Sequence, residues 1–144
     1  MTRVDFHFNA ADKLAYACRL VRKAWRTGAR VVVTGEAAQL RDLDIALWTF
    51  APLEFLPHCH AGAQGESVQA RSPVVLAEAP RSAPHHDVLV NLGDAVPEGF
   101  ERFERLIEVV TPDEQDRQQA RARWKHYAGR GYNVDRRDLA AQAG

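Results

Sequence analysis

The first fifty residues alternate between strand and helix patterns, and this alternation restricts the possible folds more than any other feature of the chain. Residues 4–8 alternate apolar and polar side chains, which predicts a half-buried strand. Apolar residues then recur at helical spacing over residues 14–25, and Gly28 is expected to end that helix. Residues 30–34 include three successive valines, which predict a strand buried on both faces. With a second helix after it, this order indicates a parallel sheet with right-handed crossovers.

Three later apolar runs extend the same pattern. Residues 74–76, 88–90 and 106–110 each predict a further strand. The expected fold class is therefore α/β: a three-layer, Rossmann-like, mostly parallel sheet with helices on both faces. We expect one domain over residues 1–144, because a chain of this length can bury a single core.

The last helix is predicted from its start and stop signals. It should span about residues 112–130, with Thr111 as the N-cap and Pro112 at the first position. Gly129 and Gly131 should end it.

Several classes of protein are disfavoured by composition. No apolar run approaches the roughly 18 residues that a membrane-spanning helix needs, so no membrane partner is expected. The N-terminus lacks the residue order of a signal peptide, and Cys18 and Cys59 are too few for a disulfide framework. We expect a cytoplasmic protein with reduced thiols.

Neither a cofactor nor a metal site is expected. The first two strand–helix turns, FNAADK and VTGEAAQ, lack the glycine-rich fingerprint of a dinucleotide site and the Gly-Lys-Ser/Thr of a P-loop. His58 and His60 should point to one side of an extended segment, but two ligands are too few for structural zinc. No Ser/His/Asp arrangement stands out, so we expect no intrinsic enzymatic activity.

Two segments suggest binding instead. The segment LWTFAPLEFLPH combines aromatic residues with prolines, including Trp48, Phe55 and Pro57, which is a composition typical of protein–protein contacts. Residues 116–137 carry seven Lys/Arg and two Asp, although the whole chain has a formal net charge of zero. An anionic partner is expected at that second segment.

The basic segment places arginines beside an aromatic residue. On a helix, Arg117, Arg121 and Trp124 share one face, and Tyr127 lies on the adjacent stripe. Such a face suits an acidic peptide with an apolar terminal residue, because guanidinium groups bind carboxylates and an aromatic wall packs the apolar side chain. It would equally allow single-stranded nucleic acid to stack, and the residues alone do not choose between these ligands.

The order of these motifs resembles a known family. The segments VDFHFN, AWRTGARVVV, LDIALWTF with FLPH, DVLVNL and RARWKHYAGRGYN together resemble the chi subunit of bacterial DNA polymerase III holoenzyme over nearly the whole chain. The resemblance implies a Rossmann-like fold that binds no nucleotide, and a connecting subunit rather than a catalyst. In this sequence, Trp124 and Arg117 stand where the family often carries tyrosine and lysine.

The resemblance also implies two protein partners. One is the psi subunit, which would join the chain to the clamp loader at a surface of Trp48, Phe55 and Pro57. The other is the acidic C-terminal tail of single-stranded-DNA-binding protein.

The tail would bind at Arg117, Arg121, Trp124 and Tyr127. The chain would then reach DNA mainly indirectly, and a helicase is an alternative partner at the psi surface. Direct binding of single-stranded nucleic acid stays the second hypothesis.

Overall fold

The computed structural model describes residues 2–49, 57–61 and 72–140. In those ranges the chain forms seven strands and three α-helices. The strands are β1 (Arg3–Phe8), β2 (Val31–Thr34), β3 (His58–His60), β4 (Val74–Leu76), β5 (Val88–Asn91), β6 (Arg105–Val109) and β7 (Val134–Asp138). The helices are α1 (Lys13–Arg26), α2 (Ala37–Thr49) and α3 (Glu114–Gly129).

The seven strands form one sheet in the order β3-β4-β2-β5-β6-β1-β7, and each neighbouring pair is parallel. The crossovers through α1 and α2 move towards the β3 edge, whereas the crossover through α3 moves towards the β7 edge. Right-handed crossovers in opposite directions place their helices on opposite faces. The α/β fold with helices on both faces is therefore confirmed, and the described pairings are all parallel.

The core is divided between the two faces of the sheet. Val31 and Val33 belong to the cluster under α1 and α2, while Val32 belongs to the cluster under α3. All three side chains are fully buried. The valine run thus supplies both layers in alternation, as the sequence predicted for an internal parallel strand.

The first helix begins and ends where the sequence indicates. The Asp12 side chain accepts a hydrogen bond from the backbone N–H of Ala15 at 3.1 Å and caps the N-terminus. Gly28 follows the last turn with a φ of 85°, a left-handed conformation that glycine adopts without steric cost.

The last helix begins later than predicted. Its N-cap is Asp113, whose carboxylate accepts from the N–H of Asp116 at 3.1 Å, so Thr111 and Pro112 lie outside the helix. Thr111 instead donates its backbone N–H to the Asp116 carboxylate at 2.8 Å. The prediction of Thr111 as the cap was wrong, because Asp113, two residues later, caps the helix N-terminus instead.

Two strands escaped prediction, and both are edge strands of the sheet. Strand β3 has three residues, two of them histidines, and β7 has four charged residues out of five. An edge strand has one neighbour and little burial, so it carries no strong apolar pattern. In the described part of the chain, no helix is long and apolar enough to cross a membrane.

Candidate peptide-binding groove

A groove of about 350 Å³ lies between α3 and the strands β1 and β7. The helix supplies one wall, and the carboxyl-terminal halves of the two strands supply the floor and the other wall. The lining residues are Phe6, Phe8, Asn9, Val110, Thr111, Arg117, Ala120, Arg121, Trp124, Lys125 and Arg136. The sequence predicted three of these as site residues: Arg117, Arg121 and Trp124.

The floor of the groove is apolar. The Trp124 ring is half-buried and packs on Phe6 with 5.0 Å between ring centroids. Phe8 and Ala120 continue this surface, and Ala120 is buried beneath the helix. A large apolar side chain entering the groove would meet aromatic carbon on two sides, which favours its transfer from water.

The rim of the groove is positively charged. Arg117, Arg121 and Lys125 follow one another at spacings of four residues along α3, and Arg136 faces them from β7. The lining residues include no Asp or Glu. A ligand bearing carboxylates would therefore meet four cations around an apolar floor.

One nearby acid partly neutralises the helix arginines. Glu114 lies 3.9 Å from Arg117 and 3.5 Å from Arg121, measured between guanidinium nitrogen and carboxylate oxygen. All three side chains are about half exposed or more. Ion pairs this exposed contribute little free energy, so a ligand carboxylate can replace Glu114 at low cost.

The structure corrects the placement of Tyr127, which was predicted as a contact for the tail. Its side chain is fully buried on the sheet side of α3. The Tyr127 hydroxyl donates a hydrogen bond of 2.5 Å to the Glu108 carboxylate on β6. Tyr127 cannot reach a ligand in the groove because α3 places it four residues from Arg123, on the stripe that faces the sheet.

Tyr127 belongs to a buried polar cluster with Glu108, Arg123 and Asn91. Arg123 Nε lies 3.1 Å from the Glu108 carboxylate, and Asn91 Nδ2 donates to its other oxygen at 2.9 Å. The pKa of Glu108 is raised, because burial outweighs the Arg123 charge and the hydrogen bonds, which lower it. Burial and the neighbouring carboxylate also raise the pKa of Tyr127, which keeps its hydroxyl a donor.

A second candidate surface lies at the other edge of the sheet. Trp48 and Ile45, both on α2, are 50% and 62% exposed, although large apolar side chains are usually covered. The Trp48 ring packs on His58 of β3 with 4.6 Å between centroids, and Pro57 beside it is half-buried. Phe55, also predicted for this surface, lies outside the described residues.

The two surfaces are far apart. The groove lies on the α3 face at the β7 edge, and Trp48 lies on α2 beside the β3 edge. Six strand spacings separate the edges, or roughly 29 Å. Among the described residues, the two candidate surfaces therefore have none in common.

The two histidines of β3 lie beside α2. As predicted, His58 and His60 point to one side: both approach Asp44 of α2, at 2.9 Å and 3.9 Å, while Cys59 is buried on the opposite face. Among the residues that the structure describes, no group of three or more His, Cys, Asp or Glu could hold a metal ion.

A cavity at the carboxyl ends of β2, β4 and β5 is lined by several acids, including Glu36 and Glu78. Their negative charge disfavours binding of phosphate.

The groove residues that were not predicted from the sequence include Phe6, Phe8, Lys125 and Arg136. The four-residue spacing from Arg121 to Lys125 was a usable signal. The sequence offers no comparable signal for Arg136. Its place beside the groove depends on the pairing of β7 with β1, which are far apart in the chain.

Fold and groove together define a class: a Rossmann-like α/β domain that lacks the glycine-rich phosphate loops and carries a basic, aromatic, peptide-sized groove. The profile of the family described as "DNA polymerase III chi subunit, HolC" matches residues 1–135. The chain belongs to this family of DNA polymerase III chi subunits.

Individual relatives agree with the family match. The DNA polymerase III subunit chi of Pseudomonas aeruginosa is 37% identical over 137 residues, covering 92% of this chain and 93% of the relative. The subunit from Haemophilus influenzae is 32% identical over 120 residues, covering 82% and 81%. The subunit from Escherichia coli is 31% identical over 136 residues, covering 93% and 88%.

Proposed function

We propose that the chain is an adaptor of the replication machinery. It would join the clamp loader, through the psi subunit, to the acidic C-terminal tail of single-stranded-DNA-binding protein. As a chi-family accessory subunit it would have no catalytic activity of its own, and it would contact DNA mainly through its partners.

The observation that carries this proposal is the groove beside α3. It combines an apolar, aromatic floor with a rim of cations, and its lining includes no acid. A peptide that ends in an apolar residue and carries carboxylates complements both parts. Arg117 and Arg121 would bind the carboxylates, and Trp124 with Phe6 would pack the terminal side chain.

The psi subunit would bind at the surface of Trp48 and Pro57. The half-exposed indole and the neighbouring Ile45 form an apolar patch that a partner could bury. Phe55 is proposed for the same surface from the family resemblance. A helicase using the same aromatic patch would compete with psi for it.

A labelled tail peptide tests the groove by fluorescence anisotropy. The wild-type chain should bind the peptide, and Arg121→Ala should weaken binding about tenfold, because a charge-assisted contact is lost. Arg130→Ala is the matched control: it removes the same charge from an exposed position just beyond α3, outside the groove lining. Binding should also weaken as salt is raised.

The same assay separates the adaptor from a direct nucleic-acid-binding module. Bare single-stranded oligonucleotide should bind much more weakly than the peptide. Tight binding of the oligonucleotide, with no binding of the peptide, would replace the adaptor proposal by the nucleic-acid proposal.

A further inference from the structure

We infer that Arg136, on the β7 side of the groove, is a specificity-determining residue that binds a second carboxylate of an extended acidic peptide. This inference rests on the proposed function, because it concerns the ligand of the same groove. It adds a contact that neither the helix pattern nor the family resemblance assigned.

The register of the sheet places Arg136 inside the groove. Strand β7 pairs with β1 so that Arg136 lies beside Phe6, and paired residues of parallel strands point to the same face. Phe6 belongs to the apolar cluster under α3. The Arg136 guanidinium carbon lies 5.9 Å from the centre of the Phe8 ring. Arg136 therefore extends over the apolar floor, and its aromatic contact orients the guanidinium group.

Among the described residues, no acid lies within ion-pair distance of Arg136. Arg117 and Arg121 share Glu114 on their own helix. By contrast, no ion pair joins Arg136 to an Asp or Glu within the described ranges. A ligand carboxylate at Arg136 would therefore displace water only, whereas carboxylates at the helix arginines must also displace Glu114.

The occupant that fits two charged walls is an extended acidic peptide with an apolar C-terminal residue. The terminal side chain would lie on Trp124 and Phe6 between the walls. Carboxylates on one side of the peptide backbone would meet the cations of α3. Side chains alternate in an extended peptide, so a carboxylate on the other side would meet Arg136.

Arg137 provides a closely matched control. It is the next residue on β7, it is exposed, and it carries the same charge. It pairs with His7 of β1, whose ring contacts Tyr16 of α1, so it points to the opposite face of the sheet. Arg136→Ala and Arg137→Ala therefore lower the net charge equally, and they remove the cation from opposite faces of the sheet.

The experiment measures the affinity of both variants for two peptides by fluorescence anisotropy. One peptide has a run of aspartates before a terminal phenylalanine, and the other has asparagines in their place. Arg136→Ala should weaken binding of the aspartate peptide about two- to fivefold, as expected for one exposed charged contact. It should change binding of the asparagine peptide by less than about twofold, and Arg137→Ala should leave both affinities near wild type.

Equal effects of the two variants would overturn the inference, because they would show only a loss of general positive charge. An equal loss for both peptides would also overturn it. These results differ from failure of the proposed function, in which the wild-type chain binds neither peptide or Arg121→Ala has no effect. Thermal unfolding of each variant confirms that the fold is retained.

Discussion

Arg123 of α3 lies 3.1 Å from the Glu108 carboxylate of β6, and the two side chains are almost completely excluded from solvent. Arg123 Nη1 also donates to the backbone carbonyl of Asp94 at 2.9 Å. The helix that presents the groove cations is thus attached to the sheet by a buried ion pair. Trp124 and Arg121 flank Arg123 on the outward side, so this attachment fixes their position over the floor of the groove.

Removal of Arg123 should destabilise the fold strongly. Arg123→Met leaves the Glu108 carboxylate buried without its cation, which should lower the free energy of unfolding by about 3–5 kcal/mol. Arg121→Met, two residues away but exposed, should change it by less than about 0.5 kcal/mol. Urea denaturation measures the free energy of unfolding of both variants.

The double variant Arg123→Met with Glu108→Gln completes this test. Because it removes the unpaired charge, it should recover part of the stability lost by Arg123→Met. Similar stabilities for Arg123→Met and Arg121→Met would contradict the importance of the buried pair.

Tyr127→Phe should separate stability from binding. The variant keeps the ring but loses the hydroxyl that donates to Glu108, so the free energy of unfolding should fall by about 1–3 kcal/mol. The affinity of the folded protein for the tail peptide should stay at the wild-type value, because Tyr127 is fully buried. A loss of affinity without a loss of stability would show that Tyr127 contacts the ligand after all.

Stability should decrease as the solution becomes mildly acidic, because burial lowers the pKa of His7 and also that of His85. Burial, with the charges of Arg137 and Arg105, lowers the pKa of His7 from 6.5 to about 4. As pH falls through 6.5, the unfolded chain binds a proton that the folded chain excludes until about pH 4. The free energy of unfolding should therefore fall by up to about 3 kcal/mol across this window.

Urea denaturation between pH 6.5 and 5.5 checks the first part of this decrease, about 1 kcal/mol, since most carboxylates stay ionised there. His7→Asn should be less stable at neutral pH, but its stability should depend less on pH across this range. His86→Asn removes an exposed histidine and serves as the control. If His7→Asn keeps the full wild-type pH dependence, another group is responsible.

The two candidate surfaces should bind their partners independently. Trp48→Ala should weaken psi binding about tenfold or more, as expected for a large aromatic at a protein interface. It should leave the affinity for the tail peptide within about twofold, because the surfaces lie on opposite faces and opposite edges of the sheet. Calorimetric titration of each partner, with and without the other, measures the coupling. A strong coupling would require a conformational link between the two surfaces.

The sequence was most informative where burial imposes a pattern. The valines of β2 and the spacing of α1 predicted internal elements because the apolar residues there pack against the core. The edge strand β7 carries little apolar pattern, and its arginines resemble those of a solvated segment. Arg136 was therefore missed, although three groove residues on α3 were predicted.

Tyr127 shows a second limit. Helical spacing places it on a stripe beside the groove residues, but spacing does not say which stripe faces the sheet. Glu108 decides this, because a buried carboxylate needs donors, and Tyr127 with Arg123 supplies them from α3. This pairing joins residues far apart in the chain and could be identified only from the fold.

The most direct test of the adaptor proposal is whether the chain joins its two partners in one complex. Single-stranded DNA coated with its binding protein can be immobilised, and retention of psi can be measured with and without the chain. We expect the wild-type chain to retain psi, Arg121→Ala to bind psi in solution but fail to retain it on the coated DNA, and Arg130→Ala to behave as wild type. Retention of psi by Arg121→Ala at the wild-type level would contradict the assignment of the tail to this groove.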